Sequence, residues 1–170
     1  MASLFEELVE VLNQENAGYE KLLGLSEEKK DAIIHGRVEV LEGITAREQD
    51  ISSDLKNYEN RRTRVLRDMS VVLGKDDEMM TVTQMIELLS DQPQEQVALT
   101  EARDQLALTA SKMQFANQQN EILLQQALDM VEFDLTLFKS LKQAPETANY
   151  DKNAYNTGDV LGNSGFDTKQ

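Results

Sequence analysis

Few side chains in this sequence are equipped for chemistry. There is one histidine, His35, and no cysteine, which excludes a thiol nucleophile, a zinc-thiolate site and a disulfide framework. A carboxylate-bridged two-metal bundle needs paired Glu-x-x-His motifs, and the residue three before His35 is Ala32, so not even one pair is present. No glycine-rich phosphate cradle follows a strand, and no serine stands beside a general base. Asp76-Asp77-Glu78 lacks the alternating ligands and distal glutamate of a calcium loop and reads as a solvated acidic turn. His35, next to Gly36, reads as a helix-end residue facing solvent or the last carbonyls. The sequence therefore predicts no catalytic residue, no metal and no cofactor.

Charge narrows the classes further. With 31 acids against 17 bases, the 170 residues carry a formal net charge of -14. Such a field repels phosphate backbones and anionic lipid, so nucleic-acid and membrane-surface roles are disfavoured. No stretch approaches the roughly 20 apolar residues that span a bilayer, so no membrane insertion is expected. The opening MASLFEELVEVL has acids where a secretory signal has bases, and a cytoplasmic protein is expected.

The elements that must carry any function are helices. Glycine and proline are sparse through the first 142 residues, and apolar residues recur at steps of three and four. One stripe runs through Phe5, Leu8, Leu12, Glu15, Tyr19, Leu22, Ser26, Lys29 and Ile33. After His35-Gly36 a second runs through Leu41, Ile44, Glu48, Ile51, Leu55, Tyr58, Arg62, Val65, Met69 and Val72, ending at Gly74. Helices of about 30 and about 35 residues would each be roughly 45–55 Å long, and equal lengths favour a hairpin. A continuous helix through His35-Gly36 is the competing arrangement, since one interior glycine costs only about 1 kcal/mol.

Thr81-Val82-Thr83-Gln84 has the form of a capping box. A short helix with Val82, Met85, Ile86 and Leu89 on its apolar face follows, and Ser90-Asp91-Gln92-Pro93 stops it. A last long helix is predicted from about Gln94 to about Gln143, with Val97, Leu99, Leu106, Met113, Leu124, Leu128, Val131, Leu135, Phe138 and Leu141 inward. The fold class is thus all-α, an elongated antiparallel bundle or coiled coil of three long helices and one short one. Residues 1–143 form the helical domain. Residues 144–170, rich in Asn, Gly, Asp and Thr with isolated apolar residues, read as a disordered C-terminal tail.

Two features remain. Glu15, Glu48 and Arg62 occupy seam positions where coiled coils place leucine, which suggests polar register pins or helix-edge exposure. Met79, Met80 and Met85 flank the short helix as core filler or as an adaptable docking surface. The final helix carries more: Ile122 to Leu141 holds more apolar residues than one partner helix can bury. Either two bundle neighbours share them, or part of the surface is a groove for a foreign amphipathic helix.

Within that helix, Asn117-Gln118-Gln119-Asn120-Glu121-Ile122-Leu123-Leu124-Gln125-Gln126-Ala127-Leu128 resembles the N-x-x-N-x-x-L-L-x-x-S-L signature of the FlgN family of flagellar type III export chaperones. The opening Leu8, Leu12, Glu15, Tyr19, Leu22-Leu23 and Leu25 is similar to that family's L-x-x-x-L-x-x-E-x-x-x-Y-x-x-L-L-x-L pattern. Lys29, Ile33-Ile34, Gly36, Leu41, Ile44, Glu48 and Arg61-Arg62 also resemble it, as does Thr81 with Ile86, where Met85 replaces a usual leucine. Tyr150-Asp151-Lys152 and Phe166-Asp167-Thr168-Lys169 resemble the family's tail elements. The chain departs from the pattern at Ala127, where serine is usual, and at Asn153-Ala154, where Lys-Gly is common.

The resemblance implies a chaperone for the hook-associated proteins FlgK and FlgL, covering a terminal helical segment, preventing premature polymerisation and delivering the client to the cytosolic domain of the export-gate protein FlhA. Recognition would be helix-in-groove. Leu124, Leu128, Val131, Leu135, Phe138 and Leu141 are the expected client-facing residues, with Asn117 and Asn120 holding helix geometry or client backbone. Tyr150, then Tyr155, are the expected gate contacts. Self-association into a homo-oligomer is another way for the free protein to hide the surplus apolar surface. The rival reading is a coiled-coil scaffold or adaptor, which regular burial without an exposed apolar groove would favour.

Overall fold

The computed structural model describes residues 2–75 and 79–143. It holds four helices and, among the described residues, no strand: α1 (Ala2–Ile34), α2 (Val38–Val72), α3 (Val82–Leu88) and α4 (Pro93–Gln143). Asp76-Asp77-Glu78 and the expected tail, with Tyr150 and Tyr155, lie outside the described residues.

The competing arrangements at His35-Gly36 resolve to a turn. Gly36 adopts φ 63, the left-handed conformation that costs an L-residue roughly 1–2 kcal/mol. Its amide donates to Ile33 O at 3.2 Å and that of Arg37 to Ala32 O at 2.9 Å, the paired bonds that close a helix C-terminus on a glycine. Gly74, φ 69, repeats the device: its amide donates to Val71 O at 3.0 Å and that of Lys75 to Ser70 O at 2.9 Å. At the next start signal, Thr81 Oγ1 accepts from the Gln84 amide at 3.2 Å while Gln84 Oε1 accepts from the Thr81 amide at 2.8 Å. The capping box is complete. Pro93 begins α4, where its missing N–H matters least.

The chain clusters into two units, residues 1–127 and residues 128–170. In the first, α1 and α2 form an antiparallel hairpin held near its open end by Arg61 to Glu7 (2.9 Å) and near its tip by Arg47 to Glu28 (2.7 Å). Gly18 lets this pair approach closely; a Cβ there would stand 2.6 Å from Leu55 Cδ2. α4 lies alongside and parallel to α1, with Val9 facing the Ala98–Leu108 stretch and Ser26 bonded to Asn120.

The larger core cluster joins Leu8 and Leu12 of α1, Val65, Leu66 and Met69 of α2, Met85 and Ile86 of α3, and Leu99, Ala102 and Leu106 of α4. A smaller cluster of Leu25, Ala32 and Ile44 fills the hairpin toward its tip. Met80 and Met85 are therefore core filler, while Met79 is exposed. Val97 is exposed as well, contrary to its predicted inward position. The seam of α4 runs through Leu99, Ala102, Leu106, Thr109 and Met113 instead, and Val97 falls off that line.

Gly36→Ala should cost about 1–2 kcal/mol in urea denaturation, because the turn requires the left-handed conformation. An unchanged midpoint would mean that the hairpin does not depend on it.

Candidate functional site

Two polar contacts fix how α4 and α2 meet α1. Asn120 is buried and donates from Nδ2 to Ser26 O at 2.8 Å and to Ser26 Oγ at 2.9 Å. An amide inserted among apolar side chains has this one register in which its donors are satisfied, so it pins α4 against α1. Of the two roles expected for Asn120, it therefore fills the structural one and is not available to a client. Asn117, one turn earlier, is exposed.

The second contact lies between α1 and α2. Glu15 is 3% exposed, and its Oε2 accepts from Arg62 Nη1 at 2.5 Å. Its other oxygen, Oε1, is buried and accepts nothing among the described residues. Burial pushes the Glu15 carboxyl above the usual carboxylate range; the Arg62 charge opposes the shift, and the charge of Glu59 adds to it. Glu48, the third polar seam residue, pairs with Lys29 at 3.1 Å. The polar members of the stripes, Glu15, Ser26, Lys29, Glu48 and Arg62, are thus all in interhelical contacts.

His35 does what its helix-end position suggests, its Nδ1 lying 2.8 Å from Asp31 O and 3.1 Å from Asp31 Oδ1. Among the described residues no group of three or more His, Cys, Asp or Glu side chains could hold a metal ion. No described helix is long and apolar enough to cross a membrane.

What remains is surface, and it belongs to the end of α4. The register set by Ser26 and Asn120 brings the last residue of α1, Ile34, level with the end of the first unit. Continued at the same steps, the α4 seam passes through Leu123 and Ala127, both half-buried, to Met130, Asp134, Leu137 and Leu141. In the second unit these residues are open to solvent. Leu128, Met130, Val131, Phe133, Leu135, Leu137, Phe138 and Leu141 have exposures from 50% (Leu137) to 68% (Met130 and Leu141). The expected inward placement of Leu128, Val131, Leu135, Phe138 and Leu141 is thus corrected: no described neighbour covers them. Leu124, in the first unit and likewise predicted inward, is 39% exposed, and its placement is corrected too.

At about 100° per residue, the apolar side chains of this segment form two faces. Leu128, Val131, Leu135 and Phe138 recur at steps of three and four and make the first. Met130, Phe133, Leu137 and Leu141 make the second, roughly 130° round the helix. Asp134 stands between the two, and the remaining arc carries Asp129, Glu132, Thr136, Lys139 and Ser140. Lys142 closes the first face with its Nζ 4.8 Å from the Phe138 ring centroid. A helix with two apolar faces is built to meet two neighbours. Fully burying any one of these large side chains is worth about 1.5–3 kcal/mol relative to leaving it in water.

The family model described as FlgN protein matches residues 1–158, which takes in the hairpin, the α4 faces and both Tyr150 and Tyr155. The chain belongs to the FlgN family. It is therefore a flagellar export chaperone of a family that is not enzymatic, and binding of flagellar proteins is the business of its surfaces. No curated relative and no solved structure matches the chain. The sequence found the surplus apolar residues of α4 and singled out Asn120 but left its role open; the signal for a bundle contact was there, since Asn120 falls on the Leu99–Met113 seam at a step of seven.

Two stability measurements test the polar pins of this FlgN-family bundle. Asn120→Ala should cost about 1–3 kcal/mol by leaving the Ser26 groups unpaired, whereas Asn117→Ala should fall within about 0.5 kcal/mol of the parent. Glu15 has the sign of a raised carboxyl: the folded chain holds its proton more tightly than the unfolded one, so its contribution grows as pH falls from 7 toward about 4.5. The stability difference between the parent and Glu15→Gln should accordingly shift in the parent's favour on acidification. A flat or opposite difference would contradict the assigned burial cost.

Proposed function

We propose that this chaperone captures the C-terminal helical segment of the hook-filament junction proteins FlgK and FlgL in the cytoplasm, prevents their premature polymerisation, and delivers them to the cytosolic domain of FlhA. The observation that carries the reading is the pair of exposed apolar faces between Leu128 and Leu141. A segment that polymerises through amphipathic helices offers an apolar stripe of matching spacing, and it folds as it docks. Leu128, Val131, Leu135, Phe138 and Leu141 are its proposed contacts. Asn117 and Leu124 remain exposed candidates, and Asn120 is withdrawn because Ser26 takes its donors.

Magnitude supports release as well as capture. Covering four half-exposed large side chains contributes on the order of 5 kcal/mol, and covering eight about twice that. Ordering a client segment takes back roughly 2–5 kcal/mol, so at most about 8 kcal/mol remains, which limits the affinity to about micromolar and favours release over permanent association. A scaffold would bury its seam throughout; the open faces are the observation that speaks against that reading.

Tyr150 and Tyr155 are the proposed gate contacts. An aromatic ring gives a large contact area with few rotors to fix.

Replacing Leu128 and Phe138 together by Asp should weaken binding of a FlgK-type C-terminal segment at least 100-fold in isothermal titration. Circular dichroism should stay unchanged, because both side chains are already exposed. Tyr150→Ala should leave client binding no weaker and reduce binding to the FlhA cytosolic domain alone. Retained client binding by the double variant would contradict the assigned seat.

A further inference from the structure

The first apolar face of the second unit differs from the second in its charged neighbours. Lys142 lies over Phe138, at the C-terminal end of the Leu128–Val131–Leu135–Phe138 face, and Lys139 follows Phe138 directly on its flank. Asp134 lies between the two faces and Glu132 lies beside Lys139, so acids adjoin both, but the lysines of the segment, Lys139 and Lys142, lie with the first face alone, and the second has only Asp134 and, farther round, Asp129. An occupant of the first face should therefore be apolar, with acids that reach the two lysines.

The chain itself continues with such a segment. Residues 144–170 carry Tyr150, Tyr155, Val160, Leu161 and Phe166, spaced about five apart, and the acids Glu146, Asp151, Asp159 and Asp167 against Lys152 and Lys169. Pro145 follows Gln143 by two residues and removes the amide that a continuing helix would use. From Leu128 to Phe138 the face spans roughly 15 Å at 1.5 Å per residue. A coil of 10 to 20 residues has a root-mean-square reach of about 17–25 Å. The distance is matched, and tethering at that reach gives an effective concentration on the order of millimolar.

We propose that in the empty chaperone the segment 144–170 lies across the Leu128–Phe138 face, its apolar residues on the leucines and its acids beside Lys139 and Lys142, and that an arriving client displaces it. The regulatory half rests on the reading of that face as the client seat; the contact itself does not. The tail shields the apolar face from self-association. It also weakens client binding by the factor by which it outcompetes an empty face, so tethered contacts of about 0.1 mM intrinsic affinity lower client affinity about tenfold.

The absence of native cysteine permits a single nitroxide at Asn163→Cys in the full chain. Paramagnetic broadening is then read at the methyls of Leu128, Val131 and Leu135, with labelled molecules diluted in unlabelled excess. Broadening under dilution supports the proposal. Broadening only when label and isotope sit on different molecules makes the occupant a second copy and overturns it, and no broadening overturns it as well. A second variant, Tyr155→Ser with Leu161→Ser and Phe166→Ser, should abolish the broadening and raise affinity for a FlgK-type C-terminal peptide about 3- to 10-fold. Normal peptide binding without any broadening defeats the tail contact and leaves the client seat standing. Broadening that the peptide never relieves keeps the contact and defeats the seat.

Discussion

The structure turns on a mismatch of lengths. α1 and α2 have 33 and 35 residues and α4 has 51, and α4 goes on presenting apolar residues past Ala127, interrupted at Asp134. Apolar residues at steps of three and four stabilise a helix chiefly by being buried against something. In the first unit the hairpin supplies that partner. In the second, no described residue does, and eight large apolar side chains stand half or more in water. A seam that outlasts its partner is incomplete until another chain or segment completes it.

The rest of the molecule serves to hold that seam in one register. The left-handed Gly36 sets where the hairpin turns, Glu15 with Arg62 and Lys29 with Glu48 align α1 on α2, and Asn120 on Ser26 aligns α4 on α1. The buried Glu15–Arg62 pair could be replaced by well-packed apolar residues at little cost if stability were the only demand.

Much of this was legible in the sequence, because helix ends are written in local chemistry. Gly36, Gly74, Thr81 with Gln84, and Pro93 each mark a boundary through their own backbone or side-chain requirements, and each falls at an observed helix end. The core of α1 and α2 was legible in part: the stripes contain Leu8, Leu12, Leu22, Ile33, Ile44, Val65 and Met69, but Val11, Leu25, Ala32 and Leu66 are buried beside them and Val72 is exposed, because each helix packs on more than one neighbour. α4 was harder. Val97, Leu99, Leu106 and Leu108 do not all lie on one face, and beyond Ile122 two faces are apolar. Periodicity alone therefore placed Val97 inside and missed Ala102, Thr109 and Asn120, whose small or polar side chains carry no hydrophobic signal. Which part of α4 lacks a neighbour is a tertiary fact, fixed by where the hairpin runs out.

The central claim is that the unpartnered faces between Leu128 and Leu141 receive the client. Methyl chemical-shift mapping of the full chain, titrated with a FlgK-type C-terminal segment, tests it most directly. The account predicts saturable shifts at Leu128, Val131, Leu135, Leu137 and Leu141, with the buried methyls of Leu8, Leu12 and Leu99 silent. Saturable shifts confined to the first unit, with residues 128–141 unmoved, would contradict it.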